Sequence, residues 1–161
     1  MANSFMQIPE LPGLPTDPYK GWIPIKSISH GIAVEISKFD RAAPRQLGHS
    51  EHSEITVKKN LDAASLPLRV FCSEGRMIPE VAFAFSREDE KDIYLKLELK
   101  QVYVSEMEID VDDGEDPEES IKLNYQTIDW KFRPKLKGGK LGDWMQTGWD
   151  RLAKKPTTPV P

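Results

Sequence analysis

The stretch RQLGHSEHSE, residues 45–54, gathers His49, Glu51, His52 and Glu54, with two imidazoles three residues apart. On a helix that spacing turns both rings to one side and could hold zinc. Nothing around it predicts a helix and no third ligand is marked, so it reads as a polar loop. The run Asp110, Asp112, Asp113, Gly114, Glu115 has the flavour of a calcium loop. Such a loop needs glycine at its sixth position and a bidentate glutamate at its twelfth. Gly114 falls one place early, and starting at Glu108 puts Asp113 where glycine belongs, so the run reads as an acidic hairpin connection. No Gly-x-Ser-x-Gly elbow marks a nucleophilic serine. Cys72 falls on an apolar helical stripe, where a thiol lacks the exposure and neighbouring charge that would activate it. Gly138 and Gly139 lead into Lys140 and Leu141 without the spacing or preceding strand of a phosphate loop. The expectation is a protein with no catalytic residues, no cofactor and no metal.

The elements that would position such residues are mostly strands. Ile93, Leu95, Leu97 and Leu99 alternate with Tyr94, Lys96, Glu98 and Lys100, the period of a half-buried strand. The apolar phase then moves to Val102 and Val104, which predicts a bulge or sharp bend near Lys100 and Gln101. Ile121, Leu123 and Tyr125 followed by Ile128, Trp130 and Phe132 repeat the device. Strands that change face in mid-course belong to barrels and corner-turning sandwiches. Further strands are predicted at 4–8, 21–37, 54–59 and 78–86. One helix is predicted from Ser65 or Leu66 to Glu74. Ser65 is its cap, Pro67 lies in its first turn, Leu68, Phe71 and Cys72 form one stripe, and Gly75 ends it. The fold class is mainly β, an antiparallel barrel of two sheets with one short flanking helix that plugs an open end. One domain spans 1–155, and 156–161 is an expected disordered tail.

At 161 residues, with 22 basic and 26 acidic side chains and a net charge of −4, the chain has the size of one domain. Such a chain buries roughly 70% of its unfolded surface. A lone cysteine excludes an internal disulfide. The amino end MANSFMQIPELPG lacks a charged segment followed by an apolar run, so a chain folded in the cytoplasm is expected. No stretch nears the ~20 apolar residues of a membrane span, and the acidity argues against general nucleic-acid binding. Charge is unevenly spread: residues 106–119 hold nine acidic and no basic groups, leaving 22 basic against 17 acidic side chains elsewhere. Residues 131–161 carry eight Lys or Arg against Asp143 and Asp150. The plain reading is a solvated turn and a solubilising tail; the sharper one is a self-complementary molecule whose copies stack head to tail.

Three segments in order carry a resemblance. EITVKKNLDAASLPLRVFCSEGRMIPEVAFAF joins a strand, a helix opened by Ser and Pro with a cysteine inside, and a strand. GEDPEESIKLNYQTIDWKFRP leads from a Gly-Glu-Asp turn at Gly114, Glu115 and Asp116 into a final strand bearing Asn124 before Tyr125. Gly148, Trp149 and Asp150 form a Gly-Trp-Asp tail. Together they resemble the hemolysin-coregulated protein (Hcp) family, tube subunits of bacterial type VI secretion, over nearly the whole chain. Residues 38–53 depart from it, being charged and His-bearing where many relatives are Gly-rich, and so does the Pro-ending tail.

The resemblance implies a barrel like that of phage tail tubes, hexameric rings and head-to-tail stacking. It further implies spike, sheath and baseplate partners and export by the secretion system. Secreted effectors would be held in the ring lumen. Ser27 and Ser29, alternating with Ile28, are the candidates for the lumen wall. Phe39, Arg41, Arg45, His49, Asp112 and Asp113 are the candidates for ring stacking. Other readings are a tail-tube subunit of a phage or related contractile particle, a small β-barrel hydrolase or metal enzyme using His30, His49 or His52, and a monomeric binding barrel.

Overall fold

The computed structural model describes residues 3–13, 20–38, 44–88 and 91–158. Along them run β1 (Ser4–Gln7), β2 (Ile23–Pro24), β3 (Ser27–Ser29), β4 (Ile32–Ile36), β5 (Leu47–His52), β6 (Ile55–Asn60) and α1 (Ser65–Glu74). They are followed by β7 (Ile78–Ser86), β8 (Ile93–Asp110), β9 (Glu118–Asn124), β10 (Thr127–Phe132), β11 (Met145–Asp150) and β12 (Lys155–Pro156). Every strand pairing is antiparallel. One sheet runs β12-β11-β10-β8-β7-β1-β2, a second runs β3-β6-β9-β8, and β4 and β5 pair only with each other.

The long strand β8 serves both main sheets. Its first half pairs with β7 and β10, and from Tyr103 onward it pairs with β9. The change falls at Gln101, whose φ of 52° is left-handed, so the phase shift foreseen at Lys100–Gln101 is a single-residue bend. It turns Leu97 and Leu99 on one side, and Val102 and Val104 on the other, into the same core. The partner ribbon breaks at Tyr125 and Gln126, between β9 and β10, where the Gln126 N–H donates to the Lys100 carbonyl at 3.0 Å. Ile121, Leu123, Tyr125 and Ile128 thereby stay in one interior.

Three expectations need correction here. Residues 21–37 are three strands: Ile25 N–H donates to Ser4 in the first sheet and Lys26 N–H to Lys58 in the second, and the chain leaves again at Gly31. For the same reason the described strands form no closed barrel. β2 and β3 sit in different sheets and are joined by backbone across Ile25–Lys26 rather than by a ladder. Residues 47–52, expected to be loop, form β5. Their alternation carries no apolar signal because the hairpin faces solvent on both sides.

The helix has the predicted bounds, and Gly75 (φ 64°) ends it with backbone bonds to Cys72 and Phe71. Leu68 is buried, and Phe71 and Cys72 pack on the core. Ser65 is not its cap. Ala64 occupies that position without a side-chain bond, and Asp62 Oδ1 accepts the Ala64 N–H at 3.0 Å. The Ser65 hydroxyl instead turns inward, donating to Glu119 Oε2 at 2.6 Å and accepting from Lys59 Nζ at 2.9 Å. Lys59 and Glu119 are both wholly buried and lie 3.0 Å apart. Asp62 reaches Lys59 at 2.8 Å and Arg69 reaches Glu119 at 2.9 Å. Burial pushes the Glu119 carboxyl up, but Ser65, Lys59 and Arg69 together hold it below its ordinary value.

The tail strands are tied on by one small residue. Gly148 lies opposite Asp129 in the β10–β11 pair. Asp129 Oδ1 accepts from the Thr157 hydroxyl at 2.5 Å, and Thr157 N–H donates to the Gly148 carbonyl at 3.0 Å. A Cβ at Gly148 would land on the Asp129 carboxylate and the Thr157 hydroxyl, 2.6 Å from the Ile128 carbonyl. Pro156, in β12, and Thr157 thus belong to the sheet edge, while residues 159–161 lie outside the described residues.

Two measurements check these contacts. Glu119→Ala leaves a buried ammonium short of its buried counter-charge and is expected to cost about 3–5 kcal/mol in urea unfolding at pH 7. In the wild type, the Glu119 contribution should be complete above pH 4.5, the ordinary value, and be lost as pH falls through its depressed one. A loss below about 1 kcal/mol in the variant would show that the network is dispensable. Gly148→Ala should cost about 1–3 kcal/mol and strip hydrogen-exchange protection from β11 and β12 first. Unchanged protection there would mean that the tail is held by other contacts.

Candidate functional site

Among the described residues, the β4–β5 hairpin stands apart from the body. Ile32, Val34, Ile36 and Leu47 are 56%, 45%, 51% and 71% exposed, and neither strand pairs with the body. Monomeric surfaces rarely leave such a cluster uncovered without a use for it.

Its base is fastened by a compact set of side chains. Gly31 N–H donates to Ser53 Oγ at 2.8 Å, and Ser53 N–H returns to the Gly31 carbonyl at 2.9 Å. Tyr125 Oη donates its proton to the Ser53 carbonyl at 2.9 Å and lies 2.6 Å from His30 Nε2. Since that hydroxyl has one proton, His30 Nε2–H is the donor to Tyr125. His52 stacks on Trp149 at 6.0 Å and on Trp130 at 6.3 Å between ring centres, and lies 5.8 Å from His30. Arg151 covers the Tyr125 ring at 4.9 Å and donates to the Tyr125 carbonyl at 2.8 Å. Burial, then His52 and Arg151, lower the pKa of His30; burial and Arg151 lower that of His52. Burial also pushes the Tyr125 phenol up to about 12. Beside this base opens a cavity of about 850 Å³ lined by His49, His52, Tyr125, Trp149, Arg151 and Lys154, among others.

The predicted residues fall in different places. Ser27 and Ser29 are exposed on β3 at the edge of the second sheet, while Ile28 between them packs on the core. Arg45 and His49 are exposed before and within β5. Phe39 and Arg41 lie outside the described residues. Asp112 and Asp113 are exposed in the β8–β9 turn, which the Glu115 N–H closes onto the Asp112 carbonyl at 3.0 Å with Gly114 at φ 78°. This turn and the cavity lie at opposite ends of β9, about 20 Å apart along the strand. The structure therefore does not bring the acidic and hairpin candidates together within one chain.

Part of the acidic run is consumed internally. Glu119 is buried with Lys59, Glu118 pairs with Lys26 at 2.8 Å, and Glu106 pairs with Lys122 at 2.9 Å. Glu108, Asp110, Asp112, Asp113, Glu115 and Asp116 remain exposed. Sequence reasoning missed Tyr125, Trp130, Trp149 and Arg151 as parts of the hairpin base. A usable signal was present: His30 and His52 bracket the segment, so any partner of both must grip its ends. Among the described residues no three His, Cys, Asp or Glu side chains are grouped to hold a metal ion, and no helix is long and apolar enough to cross a membrane.

Comparison with curated protein sequences found no match. Among solved structures, a type six secretion system protein superposes with a TM-score of 0.90 at 22% identity, covering 98% of this chain and 100% of that one. Hcp1 from Salmonella typhimurium superposes at 0.78 with 21% identity, covering 97% and 99%. A type VI secretion system effector from Yersinia pestis gives 0.72 with 16% identity, covering 92% and 99%. At these identities the likeness concerns the fold alone. Sequence membership rests on a separate finding, a family profile described as "Type VI secretion system effector, Hcp" that matches residues 5–132. The match spans most of the chain, from β1 through β10, and the chain belongs to the Hcp family of the type VI secretion system.

Proposed function

We propose that this chain is a tube subunit, six copies closing into a ring and rings stacking head to tail into a conduit for exported effectors. The observation that carries the reading is the β4–β5 hairpin, an arm of exposed apolar side chains that the chain itself leaves unpaired. A second copy supplies what it lacks. Head-to-tail contact joins two unlike surfaces and repeats without closing, which suits a molecule with an acidic turn at one end of β9 and, at the other, a cavity where Arg151 and Lys154 outnumber Glu51. Each exposed ion pair contributes only about 0–1 kcal/mol, so stacking depends on repetition around the ring and on the apolar arm. The work is structural rather than catalytic, and the chain travels out with the tube, meeting spike, sheath and baseplate proteins.

In this reading Arg45, His49, Asp112 and Asp113 contribute to the axial contact together with Phe39 and Arg41. Ser27 and Ser29 line the lumen, where small hydroxyls on an exposed edge strand offer cargo a polar, unobstructed wall.

Light scattering after size exclusion should give a mass near six times 18.3 kDa; a clean monomer at high micromolar concentration would end the ring reading. Val34→Asp with Leu47→Asp should preserve rings and abolish stacks and secretion, since neither side chain touches the core. Stacks that persist would move the axial contact elsewhere. Ser29→Gln should leave rings intact while at least one co-expressed effector loses protection. A ring that falls apart would mean that this face is buried in the assembly.

A further inference from the structure

The hairpin is held to the body almost wholly at its base, and that base carries two imidazoles. We propose that His30 and His52 form an acid-sensitive latch, in which proton uptake by the pair lifts the His52 ring, and with it the base of the β4–β5 hairpin, from Trp130 and Trp149 while both main sheets stay intact. The proposal concerns the isolated fold and does not depend on the tube reading.

The geometry makes each ring intolerant of a second proton for its own reason. His52 Nδ1 is buried with no hydrogen-bond partner. A neutral ring can leave that nitrogen as a bare lone pair, whereas an imidazolium puts an N–H there with no acceptor, a costly arrangement. His30 keeps its bond to Tyr125 in either state because Nε2–H is already the donor. Its penalty is burial first, then the neighbouring charge: a protonated His52 ring centre 5.8 Å away and the Arg151 guanidinium stacked on the same tyrosine. The lowered pKa of each ring agrees with this arrangement. One interaction works the other way, since a cationic His52 is attracted to the faces of Trp149 and Trp130. At 6.0 and 6.3 Å these contacts sit at the outer limit of such attraction.

Carboxylates on the surrounding elements are engaged elsewhere or open to solvent. On β11, Asp150 accepts the Leu152 and Ala153 N–H groups. Asp129 of β10 accepts from Thr157, and Glu54, just past β5, accepts from Ser105. Glu51 on β5 is exposed. Lys154, in the turn after β11, and Glu51 line the same cavity as His52, one positive and one negative charge open to solvent.

A released hairpin frees both rings to titrate near their ordinary value of 6.5. The clamped state is therefore favoured above that pH and is lost as pH falls below it. Each histidine can change the opening equilibrium by up to about tenfold per pH unit.

Hydrogen exchange on the full chain at pH 7.5 and 5.5, corrected for the intrinsic pH dependence of exchange, tests the latch. We expect protection in β4 and β5 to fall by more than about twofold at pH 5.5, with β6 to β9 unchanged. His49→Gln should retain this response, while His30→Gln with His52→Gln should abolish it. Should the double variant fail to fold, NMR titration of the wild-type imidazoles decides: both rings titrating below 6.5 supports the latch. Hairpin protection constant within about twofold, an acid response persisting in the folded double variant, or either ring titrating at or above its ordinary value would overturn it.

Discussion

Everything in the second sheet is arranged around a charge that has no business in an apolar core. In β6 the alternation that buries Ile55 and Val57 buries Lys59 as well, and an unpaired ammonium there would be prohibitive. Glu119 answers it from β9, Asp62 from the turn before the helix, and Ser65 from the first helical turn. One nitrogen thus fixes where α1 begins and which register β6 takes against β9. A one-residue slip of either strand would point one charge outward and strand the other. Apolar residues of similar volume could match the stability. They would not fix the register, and a protein that must repeat itself identically gains from a fixed one.

The same logic explains how far the sequence could be read. The course of β8 was legible because the shift from Leu97 and Leu99 to Val102 and Val104 is a change of phase along the chain. The bounds of α1 were legible because Pro67 and Gly75 act locally. Lys59 and Glu119 looked like any surface charges, since their burial depends on strand pairing across sixty residues. Ser65 misled for the same reason: its hydroxyl serves as an N-cap in isolation, but tertiary partners outbid the helix terminus. β5 escaped notice because a strand solvated on both faces has no apolar period to detect.

The candidate site divides along the same line. Ser27, Ser29, His49, Asp112 and Asp113 were visible as types and positions, and all five are exposed. The hairpin base was not, because Tyr125, Trp130 and Trp149 meet His30 and His52 only after β10 has paired with β11 in a particular register. On the face they share, Trp130 and Trp149 are diagonal neighbours across that pair. Their rings give His52, at the end of β5, a platform set by that register.

The pairing order has a consequence for a chain made from its amino end. Ser4 lies opposite Phe85 and Ile55 opposite Leu123, so neither β1 nor β6 can finish its ladder until the later strands have emerged. The strands from β7 to β11, by contrast, pair mainly with their neighbours in sequence, through connections that close early. During synthesis the first half therefore waits with only its β1–β2, β3–β6 and β4–β5 pairs available, its other ladder edges open, for a meander completed by the second. Translation that stalls in the linker before β7 would hold this waiting half exposed to chaperones and to its own copies.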